Sequence, residues 1–298
     1  MIVVTGASGQ LGQGIVSQLA SRVGPAHIVA SARDLHPLAP LQALGVQVRQ
    51  GDFTVPESLP AVFAGAGQAL LVSVNQLGET ALCMHRTAIT AARAAGVRRV
   101  LYTSHMGARA DSPFLAAVDH AATEAMLAEA GACFTSLRHG FYAESGLHMI
   151  GRAFEIGELR VPEDGPVSWT TRADLAEADA ILLSEEGRLD SITPALTAPE
   201  AFTMADLADI ASRLTGREIR HVTLTDEQWL DEAVAQGRPA AIAGMLLGMY
   251  QAARRGDFAT VDPALEGLLG RRPKTMRDVL AQVLGPSADA APSSVAPH

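Results

Sequence analysis

Along the first half of the chain, short β-branched runs alternate with longer amphipathic stretches. Ile2 to Val4 reads as a buried strand, followed by a glycine-bearing turn and a helix over Gln13 to Arg22. His27 to Ala32 is a second strand, Leu38 to Leu44 a short helix, and Val46 to Arg49 a third strand ahead of Gly51-Asp52-Phe53. A helix over Glu57 to Phe63 leads to a central strand over Ala69 to Val74. Thr80 to Ala95 is an amphipathic helix closed by Gly96, and Arg99 to Ser104 is the next strand. Ala116 to Ala130, closed by Gly131, is helical, and Cys133 to Leu137 is again a strand. Such alternation with short connections implies an α/β fold: a doubly wound parallel sheet of the Rossmann type. Its ligands are expected at the carboxyl ends of the strands.

Beyond about residue 145 the pattern changes to shorter strands, more glycine and proline, and amphipathic helices over Met204 to Leu214, Asp226 to Ala235 and Arg277 to Leu284. Residues 1–145 are therefore expected to form the sheet domain. Residues 146–285 are expected to form a smaller substrate-side α/β region interleaved with it. The small, polar, proline-bearing stretch 286–298 is expected to be a disordered tail. Pro239 to Tyr250 is apolar but short, which suits a core helix or pocket wall. No apolar run reaches the ~18 residues that a membrane span needs.

The turn after the first strand sharpens the picture. Thr5-Gly-Ala-Ser-Gly-Gln-Leu-Gly12 places glycines at 6, 9 and 12 between a strand and a helix. Gly6 allows the tight turn, Gly9 lets backbone approach a pyrophosphate, and Gly12 lets helix pack on strand. The free N–H groups of the helix start then face the negative charge. Gly6, Ala7, Ser8, Gly9, Gln10, Leu11 and Gly12 are thus candidate dinucleotide-binding residues. The tip of the second strand carries Arg33, where an acid would hydrogen-bond a ribose 2′-hydroxyl. A guanidinium instead pairs with a 2′-phosphate, so NADPH is expected as cofactor. The neighbouring Asp34 leaves the assignment to whichever side chain points inward.

Composition adds exclusions. The 298 residues carry a net charge of −9, with 48% hydrophobic and 18% charged residues. That balance argues against a nucleic-acid partner. Cys83 and Cys133 have no metal or redox spacing and read as buried thiols in a reducing compartment. The chain opens directly on its first strand, so no signal peptide is expected and a cytoplasmic location is. A homodimer is the assembly considered. No Gly-x-Ser-x-Gly supports hydrolysis, and no metal site is expected. His120 and Glu124, one helical turn apart, read as a surface or supporting pair rather than as ligands.

The only lysine is Lys274. Reductases of this fold commonly donate a proton through a Tyr-x-x-x-Lys pair, in which the ammonium lowers the tyrosine pKa. Tyr102, Tyr142 and Tyr250 are followed four residues on by Met106, Gly146 and Arg254. Either the protein is not a reductase, or its acceptor takes hydride without an acid relay, as a quinone or a resonance-stabilised cation does.

Several segments together resemble a known family. Thr5 to Gly12, Arg33, Val48-Arg-Gln-Gly-Asp-Phe53, Tyr102-Thr-Ser104, His120-x-x-x-Glu124, Leu137-Arg-His-Gly-Phe-Tyr142 and Thr171-Arg-Ala-Asp174 are similar to the NmrA-like, atypical short-chain dehydrogenase group. Within it the chain resembles the bacterial NADPH-dependent quinone oxidoreductases of type 2 and the triarylmethane dye reductases, up to about residue 284. The resemblance implies that Asp52 and Phe53 lie near the adenine. It places Ser73, Val74 and Asn75 on the ribose and nicotinamide side, and Arg138, His139, Gly140, Phe141 and Tyr142 as a nicotinamide wall. Two positions depart from the pattern, His139 for the usual Asn and Ala125 for the Lys of the quinone reductases.

Ser104, His139 and Tyr142 are the candidates for catalytic contact. Ser104 reads either as a donor to a substrate oxygen or as a strand-end serine satisfying local backbone. His105 and His139 read either as substrate contacts or as partly exposed loop histidines. Trp169 and Trp229 read as packing residues, Trp169 being placed to stack on an aromatic ligand. The expected activity is hydride transfer from NADPH to a quinone-like or conjugated aromatic acceptor. Two alternatives stand beside it: an NADP(H)-binding redox sensor without turnover, and an isomerase or dehydratase using bound NAD(P).

Overall fold

The computed structural model describes residues 1–131 and 133–285; the expected tail at 286–298 lies outside the described residues. In chain order the strands are β1 (Ile2–Val4), β2 (Ile28–Ala32), β3 (Gln47–Gln50), β4 (Gln68–Leu71), β5 (Arg99–His105) and β6 (Cys133–His139). They continue with β7 (Phe141–Tyr142), β8 (Glu158–Pro162), β9 (Trp169–Thr170), β10 (Ser191–Ile192) and β11 (Arg220–Leu224). The helices of the first half are α1 (Gln10–Val23), α2 (Ala39–Ala43), α3 (Leu59–Phe63), α4 (Glu79–Ala94) and α5 (Leu115–Glu129). Those of the second half are α6 (Ala143–Ile150), α7 (Ala153–Ile156), α8 (Arg172–Ser184), α9 (Met204–Thr215), α10 (Asp226–Ala235), α11 (Ala240–Arg254), α12 (Ala264–Leu269) and α13 (Met276–Leu284).

The main sheet runs β10-β6-β5-β4-β1-β2-β3, with every neighbouring pair parallel. Strand alternation assigns its side chains to two cores. Val4, Leu70, Leu101 and Leu137 pack with Ile15 and Leu19 of α1 and Leu175 and Leu182 of α8. Val3, Ala69, Leu71 and Val100 pack on the other face, with Val62 and Phe63 of α3 and Ile89 of α4. The winding reverses between β1 and β4, and the crevice outside their carboxyl ends is where such sheets bind ligands.

The second half both builds its own core and returns to the first sheet. The parallel pairs β8–β11 and β7–β9 and the helices around them enclose Trp169, Met204, Leu207, Trp229, Tyr250 and Phe258. Residues 172–192 supply α8, which packs so closely on α1 that a Cβ at Gly14 would stand 3.1 Å from Ala176 Cβ, and the edge strand β10. Thr171, Thr203, Thr225 and Thr275 cap α8, α9, α10 and α13 through their hydroxyls, satisfying first-turn N–H groups. Among the described residues no helix is long and apolar enough to cross a membrane.

Four expectations are corrected. Helix α1 begins at Gln10 rather than Gln13, because Gly9 is already extended and its carbonyl accepts from Gln13 N–H. Strand β4 stops at Leu71, so Val72 to Asn75 form a loop. Strand β6 instead extends through His139, because its outer edge is paired by the segment after β10, with Leu196 N–H donating to Arg138 O. Cys83 and Cys133 are exposed rather than buried.

Candidate dinucleotide groove

Two adjoining chambers open at the β1/β4 reversal. The larger, of about 640 Å³, is lined by Thr5, Gly6, Ser8, Gly9, Ser31, Arg33, Phe53, Thr54 and the loop from Val72 to Gln76, among others. The smaller, of about 330 Å³, is lined by Gly6, Gly9 to Gly12, Val72 to Asn75, Tyr142 and Arg172. The glycine turn and the β4–α4 loop are common to both, so one groove runs from the tip of β2 to the start of α8.

The turn has the shape a pyrophosphate requires. Gly6 has φ +61°, a left-handed conformation that favours glycine. A side chain at Gly12 would overlap Gly6 O and stand 2.9 Å from Ala7 Cα, so helix and turn touch directly. The α1 N-cap, Gly9, has no side chain to cap with, and the first turn carries no acid. The first N–H groups of a 14-residue helix are therefore left free for an anion. Ala7 is fully buried and donates its N–H to Ser31 O, so it shapes the turn without lining the groove.

At the tip of β2, Arg33 is exposed and lines the larger chamber. Asp34 turns away: its Oδ1 accepts from His36 N–H at 2.9 Å. Which residue points inward is thereby decided for Arg33. Phe53 also lines this chamber, but Asp52 does not. The Asp52 carboxylate accepts from the backbone N–H and hydroxyl of Thr54, both at 2.8 Å. The Thr54 backbone bond chiefly, with Arg33 contributing, holds its pKa below the usual range.

Ser73, Val74 and Asn75 line both chambers, and their loop is tied down from beneath. Val72 N–H donates to Thr5 Oγ1 at 3.1 Å, Ser73 N–H to Thr103 Oγ1 at 2.8 Å and Val74 N–H to His85 Nε2 at 3.1 Å. Gly78 N–H reaches Asp119 Oδ2 at 2.7 Å. The β4–α4 loop is thus held by four buried side chains, Thr5, Thr103, His85 and Asp119.

The expected nicotinamide wall divides, and strand alternation decides how. Ser104 on β5 and Ser136 and Arg138 on β6 all face α5, where the buried Glu124 accepts from them. Glu124 Oε1 takes the Ser104 hydroxyl at 2.7 Å, the Ser136 hydroxyl at 2.9 Å and Arg138 Nε at 3.0 Å. Its Oε2 takes a terminal Arg138 nitrogen at 2.7 Å. Ser104 and Arg138 are thus both engaged by Glu124, and neither lines the two chambers. Leu137 and His139 face the opposite side. His139 is 1% exposed, bonded through Nε2 to Asp179 Oδ1 of α8 at 2.9 Å, and lies under the groove rather than in it. Gly140 abuts Thr170, its N–H donating to Leu196 O. Trp169 is fully buried, its Nε1–H donating to Phe202 O, so it packs rather than stacks on a ligand. Phe141 belongs to an aromatic cluster with Trp169 and Phe258.

Tyr142 does line the smaller chamber. Burial pushes its pKa up, and Arg172 sits 4.4 Å over its ring centre. A phenol in that state stays protonated at neutral pH. Arg172, half-buried and paired to Glu144 at 3.2 Å, was not legible as a site residue from its sequence position. Its place one residue after the Thr171 cap was the available signal, since that position puts a cation at the groove's edge. Thr5, which lines the larger chamber, and Thr103 beneath it were likewise missed; each holds the β4–α4 loop through a backbone N–H.

Histidines behind the loop form a neutral set. His85 is buried and its pKa is lowered by burial to about 4. Tyr102 OH and His120 Nδ1 lie 2.8 Å apart, and burial lowers the His120 pKa well below the ordinary value. His120 and Glu124 therefore have separate partners rather than forming a pair.

The comparisons agree with this geometry. Residues 6–186 match a family model described as NAD(P)H-binding. Quinone oxidoreductase 2 of Escherichia coli (strain K12) is 32% identical over 284 residues, covering 95% of this chain and 98% of that protein. The crystal structure of the NADPH-dependent quinone oxidoreductase from the same species, complexed with NADPH, superposes with a TM-score of 0.91 at 32% identity, over 96% of this chain and all of that one (100%). The triphenylmethane reductase of Citrobacter sp., complexed with NADP(H), gives a TM-score of 0.86 at 31% identity, over 95% of this chain and 99% of that one.

Proposed function

This chain belongs to the NAD(P)H-binding family, and on that footing we propose that it is an NADPH-dependent oxidoreductase acting on quinones or other conjugated aromatic acceptors. The observation that carries the reading is the tip of β2, where Arg33 faces the chamber while Asp34 is turned into its own hydrogen-bonded turn. A guanidinium with no competing acid is the arrangement that favours a 2′-phosphate.

The residues present fit the cofactor. Gly6 to Gly12 supply the anion-binding turn, Phe53 and Thr54 border the adenine end, and Ser73 to Asn75 with Tyr142 and Arg172 border the other end. When bound, NADPH supplies hydride. The protein's share is to orient the reacting partners and exclude water, which tying down the Val72–Asn75 loop serves.

The acceptor class follows from what the carboxyl edge offers. Glu124 is occupied by Ser104, Ser136 and Arg138, His139 by Asp179, and the Tyr142 phenol has its pKa raised. The chain's single lysine, Lys274, forms no Tyr-x-x-x-Lys pair. An isolated ketone would yield a strongly basic alkoxide and need an acid relay. A quinone yields a stabilised aromatic anion that water can protonate. The assay is the loss of reduced-nicotinamide absorbance on adding simple quinones and triphenylmethane dyes to purified protein. Turnover with these and none with aliphatic ketones is expected. Tight NADPH binding without oxidation by any acceptor would overturn the reading.

A further inference from the structure

We propose that the Nε2–H of His105 donates the hydrogen bond that recognises a carbonyl oxygen of the acceptor, at the carboxyl edge of β5 where Phe114, Phe141 and Phe258 pack around the imidazole. The inference rests on the oxidoreductase reading above and names where a quinone is held.

His105 ends β5 at the carboxyl edge of the sheet, in register with His139 of β6. Gly107 donates its backbone N–H to His105 Nδ1 at 3.0 Å. A ring nitrogen that accepts carries no proton, so the proton of the neutral imidazole is on Nε2. That atom is buried and has no hydrogen-bond partner among the described residues. A buried donor left unpaired is destabilising, and a ligand oxygen that accepts from it removes that cost. Burial, with His139 adding to it, lowers the ring's pKa to about 3, so the tautomer persists at neutral pH.

The surroundings restrict what that ligand is. Phe141 and Phe258 meet the imidazole edge to face, with ring centres at 5.2 and 5.3 Å, and Phe114 lies at 6.0 Å. His120 stacks at 6.0 Å. Aromatic faces with one neutral donor suit a planar conjugated ring bearing a carbonyl. The turn that fixes the tautomer is itself tight: a side chain at Gly107 would stand 2.5 Å from the Phe258 ring.

In the reaction, two electrons and one hydrogen nucleus reach the quinone as hydride from NADPH, leaving NADP⁺ and the hydroquinone monoanion. Water supplies the proton that completes the hydroquinone. His105 keeps its own proton and hydrogen-bonds the oxygen on which the charge develops.

The test compares a carbonyl-bearing ligand with one lacking a carbonyl. Calorimetry with NADP⁺ present, where no turnover occurs, measures binding of 1,4-naphthoquinone and of a cationic triphenylmethane dye. His105→Phe is expected to weaken naphthoquinone about tenfold, as loss of one hydrogen bond does, and to leave the dye within twofold. His105→Gln, which retains a donor, is expected to recover most of the loss. Equal losses for both ligands, or an unchanged naphthoquinone affinity, would overturn the proposal. Should His105→Phe not fold, ¹⁵N-labelled histidine in the unmodified protein answers the question: the Nε2–H resonance of His105 shifts on adding naphthoquinone, or the proposal is wrong. A protein that binds naphthoquinone through His105 yet never oxidises NADPH would defeat the proposed activity and leave this subsite standing.

Discussion

Val74 donates its backbone N–H to His85 Nε2 at 3.1 Å, joining the middle of the groove to a side chain buried in α4. Because Nε2 accepts, the imidazole proton is on Nδ1, which donates to Thr123 Oγ1 at 3.0 Å. Thr123 in turn donates to Asp119 O, and the Asp119 carboxylate accepts from Gly78 N–H. Both ends of the β4–α4 loop thus depend on a neutral His85 and on the start of α5.

Stability is expected to fall between pH 6.5 and about 4. The folded-state pKa of His85 is about 4 against an ordinary 6.5, so the unfolded chain takes up the proton first. Unfolding then binds protons, and ΔG of unfolding falls as the pH drops through that window. At pH 5 the loss is about 2 kcal/mol from this residue relative to pH 7 or above. Urea denaturation across pH 5 to 7.5 measures it, and His85→Asn should flatten the slope by about that share.

Arg33→Ala is expected to weaken NADPH by tenfold to a hundredfold, the worth of about 1.5–3 kcal/mol in charge-assisted bonds, and to leave NADH nearly unchanged. Fluorescence titration with the two coenzymes decides this. Equal losses would mean that the guanidinium does not read the 2′-phosphate.

Gly12→Ala is expected to abolish measurable coenzyme binding and to cost about 1–3 kcal/mol of stability. The added methyl overlaps Gly6 O, and backbone cannot give way as a flexible side chain can. Gly65→Ser serves as a contrast, since its added atoms meet open space. It is still expected to cost a little stability through its φ of +71°, with coenzyme affinity intact.

Glu124→Gln is expected to destabilise the fold by about 3 kcal/mol or more, because it leaves the partly buried Arg138 without its counter-ion. Thermal melts of the variant with and without NADPH separate the two roles. A stability loss with coenzyme affinity held within threefold is the expected result; an intact melt with lost turnover would make Glu124 part of the chemistry.

The amino-terminal strand, the glycine turn and the order of βα units were legible in sequence because each rests on local rules. β-branched runs make strands, and a turn with Gly6 at positive φ needs glycine wherever the chain goes next. Arg33 was legible as a candidate for a similar reason, since its distance from the turn is set by one helix and one strand. The sequence did not reveal the fates of Ser104, Arg138 and His139. Each stands at or beside the carboxyl edge of a strand, where ligand contact is the natural expectation. Their roles are decided by which face each side chain takes and by what α5, α8 and the second core present there. Glu124 and Asp179 come from helices whose contacts with the sheet form only on folding. The buried polar groups must be paired when water is removed, so tertiary packing committed these residues to partners and left Tyr142 and Arg172 at the margin of the groove.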